Sequence, residues 1–305
     1  MALNVAAGHP QLSGITIPNA VWSSKLLVKF YEATVVAAIA NTDYEGEISS
    51  MGDKVIIRTT PTITINDYSK GQTLNTQRPE PETTDLTIDK GKYWQFVVDD
   101  VDKFQSDYNF IDDWSADASQ QLKITIDTQV LGDIYADAHA DNAGATAGAI
   151  SGDINLGTTG SPFSLDKTNV LDYIVDCGTI LDEQNVPEED RWMILPVWAC
   201  GHIKKSDLKD ASLSGDGTSM LRNGRLGMID RFTIYRSNLL ATAGSPQYTN
   251  IMFGHKSALT FASQMLNSET LRAESTFGTL VRGLQVYGYN VLKTEALGHG
   301  VITKG

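Results

Sequence analysis

The sequence predicts an α+β protein, a few helices packed on antiparallel strands. Three observations carry this. One long helical period runs through residues 109–139. Residues 54–65 are rich in Val, Ile and Thr, with Pro61 interrupting them, and the stretches beginning at Leu86 and around 280–292 alternate with period two, as half-buried strands do. No fixed-period repeat and no regular strand–helix alternation points to a solenoid or a parallel sheet.

In order along the chain, residues 1–18 hold Gly8, Pro10, Gly14 and Pro18 without periodicity and read as an extended arm. Residues 19–40 turn helical: Asn19 can cap, and Trp22, Leu26, Phe30, Ala33 and Ala37 recur every three or four positions. Residues 54–65 and 86–98 form two β legs around a polar tip at 66–82 containing Gly71, Pro79 and Pro81. A projecting two-stranded hairpin is marginal in water and needs another surface. The helix over 109–139 carries Ile111, Trp114, Ala118, Leu122, Ile126, Val130, Ile134 and Ala138 on one stripe, with Asp113, Asp117, Gln120 and Asp127 opposite. At 1.5 Å per residue it would be about 45 Å long.

Residues 140–162 are Gly-, Ala- and Thr-rich and read as a surface loop. A second helix spans Val170, Leu171, Ile174, Val175 and Leu181 and stops at Asn185 and Pro187. A short apolar strand at 191–195, a helix to Lys204, a mobile loop at 211–220 and a strand at 228–235 follow. A strand at 250–253 is turned by Gly254 into a helix near 257–264, and the strand at 280–292 closes the pattern.

Composition narrows the function. At 305 residues the chain fits one large or two modest domains. Its formal net charge of -13 argues against a nucleic-acid reader, which needs a basic face. It does not argue against a container for DNA, whose wall should not stick to its contents. Cys177 and Cys200 form no CxxC pair and read as buried thiols of a cytosolic protein. The first residues lack the basic and apolar regions of a signal peptide, and no apolar run is long enough to span a bilayer.

No catalytic constellation emerges. His9, His139, His202, His255 and His299 are scattered, and HExxH, GxSxG and P-loop motifs are missing. Asp99, Asp100 and Asp102 cluster at the hairpin base, and Asp133, Asp137 and Asp141 recur at a helix end. Without an EF-hand ladder both read as solvated carboxylates. Gly224 and Gly227 suit a hairpin turn better than an anion cradle. Among five tryptophans, Trp94 is an interface candidate because it lies on the hairpin; core packing accounts for most of the others.

Five segments follow one another along the chain: the hairpin arm before a long helix; RWMILP at 191–196; NGRLGMIDRFTIYRSN at 223–238; IMFGHKSA at 251–258; and FGTLVRGLQVYG at 277–288 followed by VLKTEAL at 291–297. In this order they resemble major capsid proteins of tailed bacteriophages with the Hong Kong 97-type fold. The resemblance covers about residues 19–297, and the order of the motifs is more specific than any one of them.

It implies an N-terminal arm at 1–18 and an extended E-loop at 53–98. The peripheral domain would comprise 19–52, 99–165 and 265–305, with a spine helix, and the axial domain 166–264. It implies a structural protein, not an enzyme, with no cofactor and no metal. Subunits would form pentamers and hexamers that close into an icosahedral head around double-stranded DNA, held by enclosure. Lys70, Arg78, Lys90, Lys92 and Trp94 would lie between subunits, and Ser214, Asp216 and Ser219 on a loop at the capsomer axis. Further partners would be a separate scaffolding protein, since residues before Asn19 are too few for a folded scaffolding segment, and a portal. The resemblance leaves room for a decoration protein and none for a membrane. The expected location is the virion capsid, assembled in the host cytoplasm. Two rivals remain: an encapsulin-type compartment packaging a cargo enzyme, which shares the fold, and an enzyme of unknown type.

Overall fold

A computed structural model describes residues 32, 34–43, 54–81, 83–105, 110–206, 227–244, 247–274 and 276–305. In chain order the elements are α1 (Val36–Ile39), β1 (Lys54–Arg58), β2 (Thr83–Thr87), β3 (Lys90–Asp99), α2 (Asp100–Gln105), α3 (Phe110–Asp133), β4 (Phe163–Leu165), α4 (Val170–Glu183), β5 (Arg191–Leu195), α5 (Val197–Lys205), β6 (Met228–Ile229), β7 (Phe232–Arg236), β8 (Thr242–Ala243), β9 (Tyr248–His255), β10 (Leu259–Arg272), β11 (Gly278–Val291) and β12 (Leu297–Lys304).

The described strands form three sheets. β1 and β2 pair as an antiparallel ribbon. β10, β11 and β3 make a long antiparallel sheet in that order. A larger sheet runs β4-β12-β9-β5-β7-β6, with β8 at the side of β9. β5 lies inside it, parallel to β7 and antiparallel to β9. That explains why every residue of Arg191–Leu195 is buried: a strand covered on both faces reads as an unbroken apolar run. Ile174, Cys177, Ile180 and Leu181 of α4 and Ala199 and Ile203 of α5 share one core with this sheet and the second half of α3.

Several expectations are corrected. Residues 259–272 form a strand that takes in most of the helix expected near 257–264. The chain turns tightly at 256–258, where Ala258 N–H donates to the His255 carbonyl at 2.9 Å. From Leu259 it pairs with β11 over its whole length, so long-range pairing overrides local propensity. The expected helix over 19–40 is broken at Thr34 and Val35, and only Val36–Ile39 is helical among its described residues. The long helix ends at Asp133 and tightens into a 3-10 turn at Ile134–Asp137, so α3 spans about 36 Å.

The first β leg stops at Arg58, and the second is interrupted between Thr87 and Lys90. From Lys90 onward the chain belongs to the β10-β11-β3 sheet and not to the ribbon. Asp127, expected on the solvent side of the long helix, is buried. Finally, a 3-10 turn at Thr294–Ala296 redirects the chain, so β12 pairs with β9 and β4 in the larger sheet.

Candidate functional site

The ribbon β1–β2 is rooted on one face of the β10-β11-β3 sheet. Leu86 and Ile88 are buried there with Ala262, and Val55, Ile57 and Val286 pack around them. The root is fastened by polar contacts too: Lys54 pairs with Asp85, and Asn290 Nδ2 donates to the Asp85 carbonyl at 2.8 Å. Gly288 permits the close approach, since a β-carbon there would sit 2.0 Å from the Thr87 carbonyl oxygen.

Beyond the root, residues 59–81 have no regular strand and are almost wholly exposed. Gln77 clasps the two legs: its Oε1 accepts from Thr64 N–H at 3.0 Å, and its Nε2 donates to the Thr64 carbonyl at 2.7 Å. A turn at 69–72 closes the tip, with Gly71 at φ 89° in the left-handed region that glycine tolerates. The tip holds up apolar groups with nothing over them: Ile63 is 60% exposed, Ile65 89%, Tyr68 70% and Leu74 71%. Lys70 sits in the turn and Arg78 beside Gln77, both exposed.

The other three proposed arm residues lie on β3, at the base. Lys90 pairs with Asp89 at 3.3 Å and stands 4.6 Å from the Tyr289 ring centroid, so it is partnered within its own subunit. Lys92 sits opposite Gln285 of β11. Trp94 is half-buried, stacked on Phe96 at 5.5 Å, and packs over Gly283, where a β-carbon would fall 2.5 Å from the indole. It belongs to the helix-facing side of the sheet and not to the projecting tip. Ser214, Asp216 and Ser219 lie outside the described residues, as do residues 1–18.

The sheet's other face is open past the ribbon's root. Strand register aligns three rows across it: Asn267, Leu284 and Tyr93; Glu269, Arg282 and Gln95; Leu271, Leu280 and Val97. Arg282 donates to Glu269 Oε2 at 2.6 Å, and this contact, together with Asn267 Nδ2, holds the Glu269 carboxyl below its ordinary range. Tyr93, Val97, Leu271 and Leu284 are exposed on either side of that ion pair. At the far end, Arg272 grips Asp100 at 2.6 Å, and Val101, Phe104 and Phe277 are exposed nearby in the chain. The period-two pattern of 280–292 contained this face, but only the register shows which residues share it.

On the helix-facing side, an apolar groove of about 500 Å³ runs between α1, α3 and the sheet. Asp127 borders it; Oδ2 accepts from Val35 N–H at 2.5 Å and Val36 N–H at 3.1 Å. Burial raises the Asp127 pKa, outweighing the two hydrogen bonds that lower it. Tyr287 donates to Gln129 Oε1 at 2.9 Å, and Tyr289 donates to Asp133, fastening the sheet to α3. No local motif announces these contacts.

The groups weighed for chemistry do not converge. Asp99 caps α2, accepting from Val101 N–H at 2.8 Å, and Asp100 is held by Arg272. Asp133 meets Tyr289, and Asp141 meets His139 at 3.5 Å. Among the described residues no three His, Cys, Asp or Glu side chains are grouped to hold a metal ion. Burial pushes the Cys177 thiol well up and the Cys200 thiol up to about 11, so both stay protonated. Among the described residues no helix is long and apolar enough to cross a membrane.

The model of the phage capsid protein family matches residues 81–298. A comparison with curated proteins finds no match. Among solved structures, one from Mycobacterium phage Che8 is similar at 26% identity, covering 94% of this chain and 97% of that one, with a TM-score of 0.75. The capsid structure of Cyanophage P-SCSP1u is similar at 17% identity, over 95% of this chain and 94% of that one, with a TM-score of 0.72. The mature capsid of bacteriophage PhiM1 follows at 16% identity, 93% and 91%, with a TM-score of 0.66. The mixed helix-and-sheet architecture is thus the Hong Kong 97-type capsid fold, and the chain belongs to the phage capsid protein family.

Proposed function

We propose that this capsid protein is the major shell subunit, which assembles as pentamers and hexamers into an icosahedral head enclosing double-stranded DNA. The carrying observation is the arm. A projection of more than twenty residues holds Ile63, Ile65, Tyr68 and Leu74 in solvent, and exposed apolar groups on a monomer mark an interaction surface. The open sheet face offers the counterpart. In a ring, the arm of one copy reaches over the adjacent copy and covers its two apolar rows. Lys70 and Arg78 then add ion pairs across the seam, each worth about 0–1 kcal/mol and valuable through repetition around the shell.

The net charge of -13 supports holding DNA by enclosure alone. On this reading the axis of each ring is lined by the loop carrying Ser214, Asp216 and Ser219, and residues 1–18 form an additional arm. A separate scaffolding protein and a portal complete assembly in the host cytoplasm, with an outer decoration protein as an optional addition. The reading assigns the chain no catalytic step. Deleting residues 66–82 should leave a folded subunit that builds no shells by negative-stain electron microscopy. Normal shells from the deletion would overturn the role given to the arm.

A further inference from the structure

We propose that residues 19–31 fill the apolar groove of their own subunit, between α3 and the helix-facing side of the β10-β11-β3 sheet, with Asp127 fixing the point where they enter. This does not rest on the assembly reading: it concerns the single subunit. Residues 19–31 lie outside the described residues, and three observations point to them as the occupant.

The groove is lined by Val36 and Ala37, by Leu122 and Ile126 of α3, and by Trp94 and Phe261 of the sheet. A wall of this composition favours an apolar partner over water. The mouth of the groove is where the chain arrives, because Thr34 and Val36 both line it. A continuous helix would spend the amide hydrogens of Val35 and Val36 on the carbonyls of residues 31 and 32. Here both go to Asp127 Oδ2, so α1 is not continued backward through them.

The segment has the matching pattern. Trp22, Leu26 and Phe30 recur every four positions and share one face of a helical projection, with Ser24 on the opposite side and Lys25 at the flank. This is the anchor spacing with which an amphipathic helix enters a groove. A segment tethered a few residues from the groove has a high effective concentration there, which favours it over the same segment of a second copy.

Hydrogen exchange read by mass spectrometry on the full-length, unassembled subunit tests this. Peptides covering 19–31 should exchange slowly. Ser119 lines the groove from the exposed side of α3, so Ser119→Trp should block the groove and abolish that protection, while the peptide holding Arg191–Leu195 stays protected and reports an intact fold. Asp127→Leu should also release the segment. Asp127→Asn, whose Oδ1 can still accept both amides, should retain it. If Ser119→Trp fails the fold control, Trp22→Ala with Phe30→Ala replaces it and should release the segment without touching the groove wall. Exchange of 19–31 at the rate of unstructured chain in the wild-type subunit would overturn the proposal. So would protection that survives these blocking or stripping substitutions, or protection that arises only on assembly, which would give the groove to a neighbouring copy. Shells that form normally while 19–31 exchanges freely would sink this inference and leave the capsid reading standing.

Discussion

Asp182, on the last turn of α4, accepts from the buried guanidinium of Arg191 at 2.7 Å. Arg191 is 1% exposed at the start of β5, and its other donors go to the carbonyls of Val186 at 2.6 Å and Pro187 at 2.8 Å. One side chain therefore closes the C-terminal end of the helix and ties it to the central sheet. The same carboxylate reaches Arg231 at 2.7 Å, in the β6–β7 turn, where Asp230 and Arg231 both take positive φ.

Arg191→Ala should destabilise the subunit by about 1–3 kcal/mol for each carbonyl it leaves without a donor, at Val186 and Pro187, while the half-exposed Asp182 keeps Arg231 as its partner. Arg231→Ala, at a half-exposed pair, should cost about 0–1 kcal/mol. Urea unfolding of the two variants, compared at a common slope, checks the contrast.

Asp182 also sets an acid limit. Burial alone would raise its pKa, but the two guanidiniums together hold it below the ordinary carboxylate value. A depressed carboxylate contributes stability above its unfolded pKa and loses it as pH falls through the folded value. The Arg191→Ala subunit should therefore show a shallower stability loss below about pH 4 than the wild type.

His299 of β12 gives a second pH signature at a different range. Burial lowers its pKa from 6.5 to about 4, and its Nε2 meets Asn250 Oδ1 at 3.1 Å. The unfolded chain binds a proton that the folded chain refuses. The stability is thus full above about pH 7 and falls as pH drops from 6.5 toward 4, by on the order of 2–3 kcal/mol. His299→Gln should flatten that part of the curve in thermal unfolding followed across pH.

Two glycines mark where backbone meets backbone or ring. Gly288→Ala would press on the Thr87 carbonyl and loosen the arm's root, and Gly283→Ala would push Trp94 off the sheet. Each should cost about 1–3 kcal/mol as an overpacked contact, read as a lowered Tm. Ile65→Asp and Leu74→Asp at the exposed tip should leave unfolding within about 0.5 kcal/mol of wild type. On the present account they nevertheless impair shell formation in an assembly assay.

The parts of the fold legible from sequence are those set by local period. The stripe Leu122, Ile126, Val130 announced α3, the apolar run at 191–195 announced the strand β5, and the alternation at 280–292 announced β11. The parts not legible depend on distant partners. The helix breaks at Thr34 and Val35 because a distant carboxylate, Asp127, 92 and 91 residues along, takes the amides of Val35 and Val36. Residues 259–272 carry a weak pattern of both kinds and become a strand through pairing with β11. Arg191 reads as a charge at a strand's edge, yet a helix end across the fold makes it a core residue. The open face of Tyr93, Val97, Leu271 and Leu284 likewise exists only in register, which no stretch of sequence encodes alone.

The most direct test of the central claim is negative-stain electron microscopy of the full chain, produced alone and together with its candidate scaffolding protein. The account predicts closed, uniform shells, or rings of five and six subunits. A monodisperse small oligomer that assembles with no scaffold would contradict it.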